Sequence, residues 1–342
     1  MQTAYVYDPL YLEHDSPEHP ENKQRLQQTM AHLRNSGLLA RLESLPARDA
    51  LIEELAAVHR PGYIAEVRAA AEGSREWWDS DTYLRPRSYA AAVRAAGGVL
   101  AAVEAVLTGK TDNAFALVRP PGHHAVADQA MGFCLFNNVA VAARYALQHH
   151  GLERVLIVDF DLHHGNGTQD AFYEEPQVLY FSTHQYPYYP GTGHWQETGR
   201  GAGQGYTVNV PLPAGTGDMG LQRAFDEILV PVAQRYRPQL ILASAGYDGH
   251  WTDPIGMMRL SVSGYGRLVR TLVQLASELC AGRLVLALEG GYSLEALPLC
   301  IAASFSMLLG DEEVQDPLGP ATHSEPAVDA VIQAVKKAHG LD

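Results

Sequence analysis

The chain has 342 residues, of which 46% are apolar and 19% charged, a profile that can bury a large core and leaves little room for disorder away from the ends. Its 25 lysines and arginines face 39 aspartates and glutamates, and the formal charge of −14 argues against a nucleic-acid partner while favouring attraction of cationic molecules. Cys134, Cys280 and Cys300 form no short-spaced pair, which excludes a disulfide framework and a cysteine zinc site.

Residues 1–12 carry no basic stretch followed by an apolar one, and no uninterrupted apolar run of about 18 residues occurs, so a soluble cytoplasmic protein with no membrane partner is expected. A strand is expected at 4–7, then helices at 22–39 and 88–107. The apolar run 114–118 reads as a buried strand leading into Arg119-Pro120-Pro121-Gly122-His123-His124, two histidines after a turn stiffened by prolines. They suit a base and its electrostatic neighbour, because imidazole titrates close to neutral pH; surface histidine is the alternative.

After a helix at 137–148, a strand at 154–160 delivers Asp159, Asp161, His163 and His164 at its end. Buried aspartates need a cation or a hydrogen-bond network to offset their desolvation. Asp161 and His163, two apart, point to the same side of an extended backbone as two ligands of one metal would; mutual pairing is the alternative.

A strand at 177–181, a surface loop rich in Gly, Tyr and Pro at 186–205 and a helix at 220–236 come next. The strand at 240–244 runs on to Asp248, a third candidate ligand, although Asp-Gly also makes turns on its own account. Two oxygen donors and one nitrogen donor suit zinc with one position open for catalysis. Beyond a helix at 263–279, the strand 284–288 ends in Glu289-Gly290-Gly291-Tyr292, where glycines admit close approach and the tyrosine hydroxyl can donate to a developing oxyanion. A helix at 294–308 follows, and Ser88, Asn137, Asp218, Ser263 and Ser293 stand where N-caps would. The alternation of strand and helix implies a parallel sheet covered on both faces, with ligands bound outside the carboxyl ends of its strands. With no linker and no repeat, one domain is expected over 1–342.

Taken together, His19-Pro20-Glu21, RPPGHHA at 119–125, GFCLFNN at 132–138, VDFDLHHGNGT at 158–168, YPGTG at 189–193, VNVP at 208–211, AGYD at 245–248 and EGGY at 289–292 resemble the histone deacetylase family, in its class II and bacterial amidohydrolase-like branch. The resemblance runs over about 19–308 and implies the arginase/deacetylase fold, a single α/β domain with helices on both faces of a mainly parallel eight-stranded sheet. It implies one Zn2+ per chain held by Asp161, His163 and Asp248, with His124 as general base and acid and His123 as its electrostatic neighbour. Asp159 and Asn166 become the partners of the first and second histidine, asparagine being the class II choice, and Tyr292 polarises the substrate carbonyl. Phe133 and Tyr189 would wall a narrow tunnel, tyrosine standing for a usual phenylalanine, with Gly132 and Gly290 beside it and Asp81 at the rim. A potassium ion is implied at Asp159, Asp161, His163 and Ser182.

The reaction so implied is hydrolysis of the amide of acetyl-lysine in a peptide or protein, or of a similar small acylated amine. Acetylated polyamines are the alternative substrate; polyamine-selective members place a glutamate at the tunnel mouth, and 261–263, aligned there, holds no carboxylate. An arginase-type manganese pair would need aspartates where Gly165 and His250 stand. A catalytically dead reader of acyl-lysine would lack Tyr292, and a serine hydrolase would need a Gly-x-Ser-x-Gly elbow, which is absent. The resemblance leaves oligomeric state, acyl length and the segment 311–342 open.

Overall fold

The runs VLIVD, LILASA and LVLAL are buried along their whole length, so the strands they form have protein on both faces. The computed structural model describes residues 2–73 and 75–341; Met1 and Asp342, the limits of the expected domain, lie outside the described residues. Its eight strands are β1 (Thr3–Val6), β2 (Glu43–Leu45), β3 (Asn113–Ala116), β4 (Val155–Asp159), β5 (Val178–Gln185), β6 (Thr207–Leu212), β7 (Leu240–Ala245) and β8 (Leu284–Leu288). They form one sheet in the order β2-β1-β3-β8-β7-β4-β5-β6, with every pair parallel.

Eleven α-helices are described: α1 (Gln24–Asn35), α2 (Ile52–Ala56), α3 (Pro61–Glu72), α4 (Ser88–Leu107), α5 (Asn138–His149), α6 (Asn166–Phe172), α7 (Asp218–Ala224), α8 (Val230–Tyr236), α9 (Val262–Cys280), α10 (Ala296–Leu309) and α11 (Asp329–His339). α4 packs on α5 and α9 on α10, and both pairs touch β1, β3, β7 and β8, so the sheet lies between two helical layers. α4 is long and apolar enough to cross a membrane, but 72% of that stretch is buried, and it serves here as a core helix.

One expected cap holds: Asn137 accepts from the Ala140 N–H at the start of α5. Four do not. Ser293 accepts from the Ala296 N–H but stands two residues before Glu295, the N-cap of α10. Ser261 rather than Ser263 caps α9, through the Gly264 N–H. Ser88 accepts from the Arg85 N–H, and Asp218 accepts from the N–H and hydroxyl of Ser261 instead of capping α7. The helix expected at 220–236 is divided by a π-helical turn at Phe225–Leu229. Pro231 just beyond it has no N–H for the carbonyl four residues earlier, and its ring crowds that carbonyl, so the ladder widens. The segment after α10 is tied down: Asp311 pairs with Arg41, Asp316 and Glu325 accept from backbone N–H groups of Ser263, Met219 and Gly220, and α11 buries Ile332 and Val335 while packing on β6.

β3, β8, β7 and β4 are consecutive and parallel, so their carboxyl ends open side by side. Those four ends carry the candidate chemistry.

Candidate active site

Glu289, the first residue past β8, holds this edge of the sheet together. Its carboxylate accepts from the Gly122 N–H at 2.6 Å, the His123 N–H at 3.2 Å and the Ser244 hydroxyl at 3.1 Å, joining the ends of β3, β7 and β8. Burial raises its pKa to about 7 against the opposing pull of His123.

Asp161, His163 and Asp248 converge, each offering one ligand atom, all within 4.8 Å of one another and buried. His163 Nδ1 lies 2.9 Å from Asp248 Oδ2 and 3.2 Å from Asp161 Oδ1. The carboxylates are oriented by backbone N–H groups, Gly290 to Asp161 at 2.8 Å and Leu162 to Asp248 at 3.0 Å. A Cβ on Gly290 would stand 2.6 Å from an oxygen of each aspartate, so only glycine fits.

The two histidines have opposite surroundings. His123 Nδ1 is 3.0 Å from Asp159 Oδ2; burial lowers its pKa, but Asp159 and Asp161 outweigh that and push it up to about 10. His124 Nδ1 is 2.8 Å from Asn166 Oδ1, at the start of α6, and burial, with His123 and His163 nearby, holds its pKa well below the ordinary value. Asp159 also accepts from the Tyr180 hydroxyl at 3.1 Å. A Cβ on Gly165 would meet Asp159 at 2.2 Å, so the aspartate of a manganese pair has no room there.

Above these groups opens a cavity of about 240 Å3, lined among others by His123, His124, Phe133, Tyr189, Ile255 and Tyr292. The Phe133 ring stands edge-on to Tyr292 at 5.7 Å, and Tyr189 edge-on to His124 at 5.2 Å. Gly132 and Phe133 have φ of 54° and 70°; a Cβ on Gly132 would come within 2.4 Å of the His124 ring. Asp81 and Gly290 also border the cavity. Ser182 faces Asp159 across the β4–β5 ladder, its hydroxyl bonded to His184 at 2.9 Å. The stretch 261–263 does not line the cavity: Ser261 is buried at the start of α9, and Ile255 is the residue this loop contributes.

Sequence reasoning missed the supports. Asp253 accepts from the Tyr292, Ser293 and Ile255 N–H groups at 2.6, 3.0 and 3.1 Å, and no motif marked it. Arg25 donates to the carbonyls of Gly291 and Glu289, both at 2.6 Å, and lies 4.9 Å over the Tyr292 ring. Its partner Glu21 stood in a quoted motif with no role assigned.

Residues 19–308 match the family described as histone deacetylase domain. A probable deacetylase of Archaeoglobus fulgidus is 45% identical over 304 residues, 87% of this chain and 84% of the relative. The polyamine deacetylase HDAC10 of Homo sapiens is 40% identical over 352 residues, 98% of this chain and 52% of the relative. The crystal structure of the HDA15 HD domain matches with a TM-score of 0.91 at 37% identity, covering 99% of this chain and 94% of that one. By sequence over most of its length, and by a fold that matches a solved member across nearly the whole chain, this chain belongs to the histone deacetylase family.

Proposed function

We propose that the protein is a zinc-dependent deacetylase that hydrolyses the amide of acetyl-lysine or a similar acylated amine. The observation that carries this is the convergence of Asp161, His163 and Asp248 beneath one cavity with His124 and Tyr292 in its wall. Two carboxylates and one imidazole, buried and pre-oriented by backbone N–H groups, are a donor set suited to zinc with one position open. When bound, zinc polarises a carbonyl oxygen and makes water a nucleophile near neutral pH.

The remaining steps belong to the chain. His124 is kept neutral, and donation from Nδ1–H to Asn166 Oδ1 leaves Nε2 as an acceptor, fit to take a proton from the attacking water and return it to the leaving amine. His123, paired with Asp159, supplies positive charge beside it. Tyr292 stays protonated because burial pushes its pKa well up, and its hydroxyl can donate to the carbonyl oxygen as charge develops. Phe133 and Tyr189 flank the alkyl stem, and Asp81 stands at the rim for the substrate backbone. A potassium ion at Asp159, Asp161, His163 and Ser182 belongs to the same reading, supported by the adjacency of Asp159 and Ser182. So does a cytoplasmic location, supported by three cysteines that are free and buried.

The test is hydrolysis of a fluorogenic acetyl-lysine substrate by metal-free protein reconstituted with zinc, beside Tyr292→Phe and His124→Ala. Zinc should restore activity, and each variant should lose about a hundredfold or more. Folded, zinc-loaded wild type without turnover would overturn the acetyl-lysine reading. Acetylpolyamine is the second reading, favoured by the charge of −14 and by the relative named a polyamine deacetylase. A far higher efficiency on acetylspermidine than on an acetyl-lysine peptide would select it.

A further inference from the structure

The loop that carries Tyr188 and Tyr189 has no regular structure of its own, yet it supplies one wall of the cavity. On one side it is held by the Tyr188 hydroxyl, which donates to the Ile255 carbonyl at 2.7 Å. On the other it closes into a ring of side chains outside the cavity. Thr192 Oγ1 is 2.8 Å from His164 Nδ1; His164 Nε2 is 3.1 Å from Gln169 Oε1; Gln169 Nε2 donates to Glu197 Oε2 at 2.7 Å. Glu197 returns to the loop by accepting from the Gly193 N–H at 3.1 Å and the His194 N–H at 3.0 Å. Asn209 on β6 donates to Gln169 Oε1 at 2.7 Å and to the Glu197 carbonyl at 3.1 Å, fastening the ring to the sheet edge. The ring leaves no space at Gly193, where φ is 89° and a Cβ would stand 2.4 Å from His184.

The direction of every bond follows from one group. A carboxylate only accepts, so Gln169 must turn its NH2 toward Glu197 and its oxygen toward His164 and Asn209. His164 then carries its hydrogen on Nε2, and Nδ1 accepts from the Thr192 hydroxyl.

We propose that Glu197 is a positioning residue: through the ring Glu197, Gln169, His164 and Thr192 it fixes the loop at 186–193, and so sets the Tyr189 wall of the substrate tunnel. The tunnel role of Tyr189 rests on the deacetylase reading; the ordering of the loop does not. Glu197→Gln is nearly isosteric but brings an NH2 against either the Gln169 NH2 or the backbone N–H groups. Turning Gln169 over to meet it only moves the conflict to Asn209. The exchange Gln169→Glu with Glu197→Gln restores an acceptor facing His164 and Asn209, a donor facing the new glutamate, and an oxygen facing Gly193 and His194.

The test compares wild type, Glu197→Gln, the exchanged double variant and Thr192→Val, all zinc-loaded, by amide hydrogen exchange and by steady-state kinetics on an acetyl-lysine peptide. Faster exchange at 188–194 is expected in both single variants, with kcat within about threefold of wild type and KM raised about tenfold in Glu197→Gln, the scale of one charge-assisted hydrogen bond, and by less in Thr192→Val, which removes a neutral one. The double variant should recover protection and KM together. A Glu197→Gln protein with wild-type exchange and KM, a double variant as impaired as the single, or a loss confined to kcat would each overturn the proposal. If wild type did not turn over the peptide, the acetyl-lysine reading would fall, and the exchange data alone would still decide whether the ring orders the loop.

Discussion

Glu21 has no exposed surface and sits between two guanidinium groups. Arg119 bonds it through both nitrogens of its fork, Arg25 reaches it at 3.0 Å, and the Tyr83 hydroxyl donates to it at 3.1 Å. Burial alone would raise its pKa; Arg119 and then Arg25 outweigh that and hold the carboxyl well below the usual range. Glu21→Gln leaves two buried cations with no counter-charge, and a loss of about 3–5 kcal/mol in urea denaturation at neutral pH is expected. Because the folded pKa is depressed, the carboxylate's contribution is complete above the unfolded value of about 4.3 and fades as pH falls below it. The stability gap between wild type and variant should therefore narrow from pH 5 toward pH 3; a constant gap would show that the charge is not what stabilises the cluster. The consequence reaches the site, since Arg25 holds the backbone on either side of Gly290.

At the scale of the element, α9 ends at Ala281 with φ of 54°, a left-handed residue with a Cβ where glycine is the usual closer. Ala281 is exposed, so Ala281→Gly removes the strain without opening a cavity, and stability should rise by about 0.5–1 kcal/mol, seen as a higher melting temperature with unchanged activity. An unchanged or lower melting temperature would mean that neighbouring contacts already stabilise this turn. The same scale shows what the sequence could and could not disclose. The six expected strands are all present, because buried parallel strands must be apolar on both faces. The two that escaped notice, β2 and β6, are the edges of the sheet. β2 is only three residues long, and β6 carries Asn209 and Pro211, which an edge tolerates and a central strand would not. β5 outruns its expected end because Ser182, Thr183, His184 and Gln185 are buried yet polar and give no hydrophobic signal. The candidate ligands and Tyr292 were legible for a related reason: each lies within four residues of the end of an apolar strand, whereas Gly132, Phe133 and Asp81 came only with the resemblance. The ring around Glu197 was not, since its bonded pairs His164 with Thr192 and Gln169 with Glu197 each lie 28 residues apart along the chain, at no recognisable spacing.

For the molecule as a whole, acid sensitivity should come from buried histidines that are not themselves candidate metal ligands. Burial lowers the pKa of His14 to about 3 and those of His59, His184, His250 and His339 to about 4 each. Between those values and the unfolded value of about 6.5, the unfolded chain binds protons that the folded one refuses, so stability rises with pH. Glu289 and Asp253, each raised to about 7 chiefly by burial, act in the opposite sense, as does the raised His123 toward the top of this range, but His124 and His164, both lowered by burial, join the five on the other side. Zinc in the proposed site would add to the rise, because its ligands must be deprotonated. Stability should therefore increase from pH 5 to pH 6.5, and one histidine can be isolated to show why. His59 Nδ1 donates to the Val126 carbonyl, and Nε2 accepts from the Asn137 N–H at 2.8 Å. A proton on Nε2 would set donor against donor behind the residue that caps α5 and whose side chain reaches the His123 carbonyl. In His59→Gln that penalty is gone, and the slope of unfolding free energy against pH should fall by about 1.4 kcal/mol per pH unit between pH 4.5 and 6. An unaltered slope would remove His59 from the groups responsible, and the same pair of titrations repeated on the metal-free protein would then separate the other buried histidines from the candidate metal ligands.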